Sequence, residues 1–362
     1  MHVGLPNYIR TTVDAYAKTE GRPKLVKLSS TQSIRSKTAT TVPQKKHQEW
    51  IGRLLWIMRV GRPDIAQAVS QLGSRVACWN HECDAQMKQL MGYLAATADY
   101  RLEFSWPVEA QGKFDSFEAE IHSDADWRGS EKSQSSFFAW VRPKGYSTGG
   151  CPIHWQSKKQ SVTSDSVSSA EIVAAHLAFK EGSWPMMAIL TAMGRNEHDF
   201  TLRVDNNTCL KHIVNSPTDT VAHQLKAIDT RLGYLHDLHE NQLFKCNHVE
   251  SAYNRSDLGT KCPRTVEEQD WWRSSVNLQL PLNYSDAETR KKCWLATHGT
   301  APDPKVLKGN PADDQDSSAF FSLLMNRTEA PFLSGDQRRV INSVNLSYYA
   351  ELMEFNSYSR AE

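Results

Sequence analysis

Four carboxylates stand where predicted strands end or predicted helices begin. The segment "EIHSDADWRGS" places one of them directly after the alternating residues Phe117, Ala119 and Ile121. A second lies in the first turn of a predicted helix, a third ends the strand "TLRV", and the last opens the final helix. Strand ends and helix starts meet at one rim of a β-α sheet, so we expect these side chains to converge. The four residues are Asp124, Glu171, Asp205 and Asp257.

Converging carboxylates would allow metal-assisted hydrolysis. They repel each other and raise each other's pKa values unless a cation joins them. Mg²⁺ prefers such hard oxygen ligands, together with water and phosphate oxygens. Two such ions about 4 Å apart can activate a water and stabilise the leaving oxygen of a phosphodiester.

Each acid also has a purely structural interpretation, and spacing alone does not choose between the two. Glu171 fits a capping box with Ser168. Asp205, in "DNN", fits a turn, and Asp257 fits an acid favoured by the dipole at a helix start.

The elements around these acids predict an α/β fold. Residues 46–98 have a helical period in three segments, and their apolar stripes are Trp50, Leu54, Ile57; Ile65, Val69, Leu72; and Met87, Leu90, Met91, Leu94. Pro63 stands in a first helical turn, and Asp84 is a candidate cap for the third helix. From residue 117 the predicted order is β-β-β-α-β-α-β-α, with "KGYSTGG" as a hairpin connection. This order predicts a mixed sheet flanked by helices.

Composition excludes several classes of protein. The 362 residues carry 42 basic and 41 acidic side chains, so there is no global charge signal for nucleic acid. Seven scattered cysteines predict a reducing, intracellular compartment, cytoplasmic or nuclear, rather than a disulfide framework. "CWNHEC" and "CNH" lack the partner pairs of a zinc finger. No signal peptide or membrane span is expected.

Eight blocks in order resemble the end of a copia-type retrotransposon Pol polyprotein, over residues 46–265. "GRPDIAQAVSQLGS" and "MGYLAATADYRLEF" resemble segments of the last part of its reverse transcriptase. "HSDADWRGS" is similar to the family's "SDADWAG", "IHWQSKKQ" to "ISWSSKKQ", and "VSSAEIVAAHLAFKEGSW" to "STEAEYIALSEAAKEALW". "LRVDNN", "LKAIDTR" and "NRSDLGTKCP" resemble "CDN", "KHIDIR" and "NLADILTKPL".

The resemblance implies a ribonuclease H-like fold preceded by a small helical region. Residues 1–45 would be a linker or the end of the reverse transcriptase palm and fingers, 46–110 a thumb- or connection-like helical region, and 115–280 the ribonuclease H-like domain. Residues 285–362 show no persistent period and are expected to be a disordered tail. The polymerase motif Tyr-x-Asp-Asp is absent from the sequence, so no DNA polymerisation is expected.

The resemblance also assigns roles to the acids. Asp124, Glu171, Asp205 and Asp257 fall on the family's catalytic, metal-binding carboxylates, with two Mg²⁺ ions, or Mn²⁺, as cofactors. Asp124 and Asp205 would flank both ions, Glu171 would serve the leaving 3′ oxygen, and Asp257 the attacking water. The implied reaction is hydrolysis of the RNA strand of an RNA–DNA hybrid. Asp126 would be a supporting acid and Trp127 a packing residue.

Substrate contacts are expected from polar and basic residues near these acids. Hydroxyl and amide groups could recognise the 2′-hydroxyl, and basic side chains the phosphates. The candidates are Ser123, Arg128, Lys158, Lys159, Asn206 and Asn207. His248 is a candidate proton shuttle, although a packed or solvent-facing histidine fits the same position. The pair Lys158 and Lys159 also fits a solvated strand end.

Three departures from the family suggest a diverged copy. The family's Ser-Thr-Ser-Gly is Ser-Gln-Ser-Ser here and ends at Ser136, the histidine of "KHID" is Ala227, and the acid before "AE" is Ser169. A catalytically silent remnant that binds nucleic acid or a partner protein is therefore the alternative to an active nuclease. A third hypothesis keeps the same fold but assigns a reaction on a DNA strand, as in integrase-like relatives. A polymerase domain, in cis or in trans, is a further expected partner.

Overall fold

A computed structural model describes residues 2–31, 34, 45–104, 117–127, 132–144, 150–215 and 226–280. The predicted tail, most of the hairpin "KGYSTGG" and the substrate candidate Arg128 lie outside these residues. No helix in the described part is long and apolar enough to cross a membrane.

A five-stranded mixed sheet forms the centre of the fold. Its strands, in chain order, are β3 (Phe117–Asp126), β4 (Gln134–Pro143), β5 (Cys151–Lys159), β6 (Thr201–Val204) and β7 (Lys245–His248). Their spatial order is β5-β4-β3-β6-β7. The pairs β5-β4 and β4-β3 are antiparallel, whereas β3-β6 and β6-β7 are parallel. The prediction of a mixed sheet flanked by helices is confirmed.

Three helices cover one face of the sheet: α5 (Val167–Ala192), α6 (Asn207–Val214) and α7 (Lys226–Glu240). The predicted stripe of α5, Ile172, Ala175 and Phe179, is buried in their common core. Gly182 lets α5 approach closely, because a Cβ there would lie 3.1 Å from Ile121 Cγ2 and 3.2 Å from the Phe137 ring.

The other face packs on the N-terminal helices. These are α2 (Lys45–Gly61), a 3₁₀ helix (Pro63–Ile65) continued by α3 (Ala66–Gly73), and α4 (His81–Ala96). All ten residues of the predicted stripes are buried in a core that also contains Phe138, Trp140 and Trp155 of the sheet. Trp155 Nε1 donates to Met58 O at 3.0 Å. The N-terminal helices and this face of the sheet therefore share one hydrophobic core.

A small second sheet joins the beginning of the chain to the end of the described part. β2 (Arg101–Glu103) pairs antiparallel with both β1 (His2–Val3) and β8 (Leu278–Gln279). β8 follows α8 (Val266–Ser275). Trp272 of α8 is buried in the core that the N-terminal helices share with the sheet.

Several predicted elements need correction. Part of residues 1–45 is not linker or loop: Pro6–Glu20 forms helix α1, because Ile9, Val13 and Tyr16 recur at helical spacing and are buried. Helix α4 begins at His81 rather than at Asp84, because the Asn80 side chain accepts from Cys83 N and caps it. Helix α6 was not expected.

Candidate metal centre

Three aspartates converge at one end of the sheet. Asp124 lies in β3 and Asp205 directly follows β6. The parallel register pairs Ser123 with Val204, so these two aspartates come next to each other on adjacent strands. One carboxylate oxygen each from Asp124, Asp205 and Asp257 lies within 4.8 Å of the others. The predicted convergence is observed for these three residues, which could together hold a metal ion.

Asp257 does not open a helix, as the sequence suggested, but lies inside the 3₁₀ helix Arg255–Gly259. Fully buried Asn254 fixes this turn: its Nδ2 donates to Ser123 O at 3.0 Å, and its Oδ1 accepts from Ser256 Oγ at 2.5 Å. Ser157 Oγ donates to Gly259 O at 2.5 Å. Hydrogen bonds to β3 and β5 therefore bring Asp257 to the end of the sheet.

A small residue at position 259 allows this approach. A Cβ at Gly259 would lie 2.7 Å from Ser136 Cβ and would also collide with Ser136 Oγ. Ser136 is paired with Asp124 across β3 and β4 and stands where the similar family has glycine. The copia-type segment "NLADILTKPL", which residues 254–263 of this chain resemble, has leucine where this chain has Gly259. This chain therefore has serine in β4 and glycine on the facing turn, and the absence of a side chain at Gly259 leaves room for Ser136.

Glu171 points towards the same centre from helix α5. Its carboxylate accepts a hydrogen bond from the Ala125 backbone N–H, and it interacts electrostatically with Asp124 and Asp205. The capping-box interpretation is wrong, because Ser166 rather than Ser168 caps α5 by accepting from Ser169 N. Glu171 is not among the three acids with mutually close oxygens.

Two buried carboxylate oxygens, Glu171 Oε2 and Asp257 Oδ1, have no hydrogen-bond partner among the described residues. Buried acceptors normally have one, so these atoms fit a cation. Oxygen-only ligands suit Mg²⁺ or Mn²⁺.

Residues 260 and 261 contact the acids from the end of the same turn. Thr260 Oγ1 donates to Asp124 Oδ2. Lys261 Nζ lies 2.7 Å from Asp257 Oδ2 and 3.8 Å from Asp124 Oδ1. The sequence prediction missed both residues, although they lie only three and four positions after the predicted acid in "DLGTK".

Burial and mutual repulsion raise the pKa values of three of the acids. Burial, opposed by Lys261 and Thr260 and reinforced by Asp205, raises the pKa of Asp124 to about 6. Burial and the charge of Asp124 raise the pKa of Asp257 to about 7, despite Lys261. Burial and, to a smaller extent, the negative charges of Asp124 and Asp205 raise the pKa of Glu171 well above its usual value. Such a group of acids favours a cation.

Burial or a capping hydrogen bond limits what two of the substrate candidates can contact. Ser123 is fully buried beneath the surface, so its proposed contact with substrate is wrong. The Asn206 side chain caps α6 by accepting from Cys209 N at 2.8 Å, which leaves its amide N–H groups as the atoms that could reach a ligand. Asn207, the first residue of α6, is exposed.

The two lysines of "WQSKKQ" lie on opposite faces of the sheet. Lys159 pairs with Gln134, which pairs with Asp126, so Lys159 shares the face of Asp124 and Asp126. Lys158 pairs through Ser135 with Ala125, whose side chain packs on α5. Lys158 is therefore on the face covered by the helix that carries Glu171.

Two rings flank the centre. Exposed His248 ends β7, with Nε2 at 3.1 Å from Asp205 O. Trp127, beside half-buried Asp126, is 41% exposed, and its Nε1 donates to Ser164 O at 3.1 Å. Trp127 is thus partly packed and partly exposed.

Comparison with known proteins finds similarity to a transposon polyprotein and to a secreted effector protein. No protein-family model matches it. Over 263 residues, or 70% of the chain, it is 23% identical to the retrovirus-related Pol polyprotein from transposon TNT 1-94 of Nicotiana tabacum, and it spans 18% of that polyprotein's length. Over 136 residues, 37% of this chain and 87% of the relative, it is 32% identical to secreted RxLR effector protein 161 of Plasmopara viticola. The first similarity supports an origin from a retrotransposon Pol polyprotein, and the second shows that the chain belongs to the same family as the Plasmopara viticola protein.

Proposed function

We propose that this chain is a retrotransposon-derived ribonuclease H, which hydrolyses the RNA strand of RNA–DNA hybrids with two Mg²⁺ ions, or Mn²⁺. One observation carries the proposal: Asp124, Asp205 and Asp257 present mutually close oxygens beside the unpartnered oxygen of Glu171. The strand order β5-β4-β3-β6-β7 and the similarity to a Pol polyprotein support it further.

The chain's own residues would divide the work. Asp124 and Asp205 would hold both ions, while Asp257 and Glu171 would each complete the ligands of one. Bound Mg²⁺ would lower the pKa of a water and stabilise charge on the leaving 3′ oxygen. Asn254 and Thr260 would keep Asp257 and Asp124 in position.

On the substrate side, Lys159 would bind a phosphate from the face of the sheet that carries Asp124. Asn207, exposed at the start of α6, would contact the 2′-hydroxyl that distinguishes RNA from DNA. His248, next to the backbone of Asp205, would move a proton near the cleaved bond. Phosphate binding by Lys159 predicts that affinity falls steeply with salt.

The N-terminal helices would support the hybrid or a polymerase domain, in cis or in trans. Their core continues into the sheet, so a partner bound there would be fixed relative to the acids. Such a substrate would be met in the cytoplasm or the nucleus.

The test is cleavage of a hybrid labelled on both strands, in Mg²⁺, by the wild type, Asp205→Asn and the control Asp237→Asn. Asp237 is an exposed residue of α7 away from the acids. We expect RNA cuts from the wild type and the control, and a loss of more than about 100-fold in Asp205→Asn, since a direct ligand should matter at least as much as the groups around it.

Other outcomes select other functions. Salt-sensitive hybrid binding without cleavage in any variant would establish the silent binding remnant. Cuts in the DNA strand would support integrase-like chemistry. Neither binding nor cleavage by the folded protein would overturn the proposal.

A further inference from the structure

Lys261 places a positive charge among the carboxylates proposed to hold the metal. Its ammonium nitrogen is 2.7 Å from Asp257 Oδ2 and 3.8 Å from Asp124 Oδ1. The Asp124 side chain is 3% exposed, whereas that of Lys261 is 41% exposed. The lysine therefore reaches from the surface into a buried acid group.

We propose that Lys261 is a resident cation of this centre, which holds Asp257 and Asp124 together while no divalent ion is bound and is displaced when one binds. The inference rests on the proposed function, because it concerns the same acids. It makes Lys261 a positioning residue and a regulator of metal affinity.

The backbone keeps this cation close to the acids. Lys261 N donates to Asp257 O at 2.9 Å, and Thr260 N donates to the same oxygen at 3.1 Å. The lysine thus starts one turn after Asp257, and its ammonium group has a high local concentration at the carboxylate. Its flexible, partly exposed stem leaves a path into solvent.

A divalent ion and this ammonium group compete for the same oxygens. Asp257 has Oδ2 on Lys261, whereas its Oδ1 has no partner among the described residues. An ion bound by Asp257 and Asp124 would lie within a few ångströms of the ammonium nitrogen, where like charges repel strongly. The ammonium group would have to leave its position between the two acids.

Two simpler roles for Lys261 predict different results. A structural ion pair would add stability without affecting the metal. A lysine that only binds substrate phosphate would change hybrid affinity and leave Mg²⁺ affinity unchanged. A resident cation differs from both. Its removal lowers the thermal stability of the metal-free protein and raises its affinity for Mg²⁺.

The experiment measures Mg²⁺ binding to the full chain by calorimetry without nucleic acid, and thermal unfolding in EDTA. The variants are Lys261→Met, which keeps an apolar stem, Lys261→Arg, which keeps the charge, and Lys88→Met, a matched control on the exposed side of α4. We expect Lys261→Met to bind Mg²⁺ at least about fivefold more tightly than the wild type, and to unfold at a lower temperature in EDTA. Lys261→Arg and Lys88→Met should bind Mg²⁺ like the wild type.

Equal or weaker Mg²⁺ binding by folded Lys261→Met would overturn the inference, as would tighter binding by Lys88→Met. If Lys261→Met does not fold, tighter binding by Lys261→Gln decides in its place. Failure of this inference appears as unchanged Mg²⁺ affinity in a protein that still cleaves hybrids. Failure of the proposed function appears as no RNA cleavage by a protein that binds Mg²⁺, and absence of Mg²⁺ binding in every variant would overturn both.

Discussion

Two buried ionic groups of this molecule are built in opposite ways. In the first, around Asp64, Arg62 donates to both carboxylate oxygens at 2.9 and 2.8 Å, and Tyr93 Oη donates to Oδ2 at 2.5 Å. Arg62 also donates to Thr97 O and Oγ1, at 2.9 and 2.7 Å. One acid thus meets one base, and both oxygens of the acid are hydrogen-bonded.

The second group, around Asp124, has more acids than bases. Asp205, Asp257 and Glu171 surround it, and Lys261 is the base in contact. Two of the oxygens have no partner in the described part of the chain, and burial raises the pKa values of three of the acids.

The difference teaches that burial of charge does not by itself mark a functional site. The Asp64 group is balanced and binds α4 to the turn before α3, so its role is structural. The Asp124 group is unbalanced, and an added cation or proton uptake by the acids would balance it. Predictions that separate a balanced from an unbalanced group therefore test this distinction.

The largest expected effect is on the balanced group. Asp64→Asn would leave the buried guanidinium of Arg62 without its counter-charge. We expect a loss of about 3–5 kcal/mol in the free energy of unfolding, measured by urea denaturation. The control is Asp99→Asn, which removes an exposed ion pair with Arg10 and should cost at most about 1 kcal/mol. A similar small loss for both variants would contradict a structural role for the Asp64 group.

The next effect concerns the contact that holds the unbalanced group together. Gly259→Leu would push the turn away from Ser136, and we expect a loss of about 1–3 kcal/mol in stability and weaker Mg²⁺ binding. Adding Ser136→Gly should recover much of both, because it removes the side chain that the leucine would meet. A double-mutant cycle measures this coupling, and simply additive losses would show that the two positions do not compensate each other.

Much of the fold could be predicted because long periodic segments report their buried faces. The stripe of Trp50, Leu54 and Ile57 and the stripe of Ile172, Ala175 and Phe179 have clear helical periods, and both are buried. Strand ends in the sequence likewise predicted that Asp124 and Asp205 converge, and the structure brings them together on neighbouring strands.

The errors lie where short-range patterns are ambiguous. Asn80 and Asp84 are both good caps, and only the observed hydrogen bond to Cys83 N chooses Asn80. Helix α6 has eight residues, too few for a periodic signal. The 3₁₀ turn at Asp257 is fixed by contacts from Asn254 to Ser123 and from Ser157 to Gly259, both more than 100 residues away in sequence, so no local pattern could show it.

The smallest expected effect is a gain in stability, whereas mutation of a buried charged residue usually lowers the free energy of unfolding. Without metal, the pKa of Asp257 is about 7 in the folded chain, against the ordinary value of 3.8. Between these pH values the folded state binds more protons than the unfolded state, so the stability contributed by this group is present at low pH and is lost as pH rises towards 7. Asp257→Asn resembles the protonated acid and cannot ionise. We therefore expect it to be about 1–2 kcal/mol more stable than the wild type at pH 8 in EDTA, and close to it at pH 4.

Urea denaturation across this pH range in EDTA checks the prediction, with Asp237→Asn as the matched control. The expected gain is smaller than the pKa difference alone implies, because Lys261 loses its closest partner when Asp257 is neutralised. Mg²⁺ should reverse the order at pH 8, since it stabilises the wild type through a ligand that the variant has lost. Parallel pH curves for the two proteins would mean that Asp257 ionises as easily in the folded chain as in water. The acids around Asp124 would then be as well balanced as the Asp64 group, and the distinction between the two would fail.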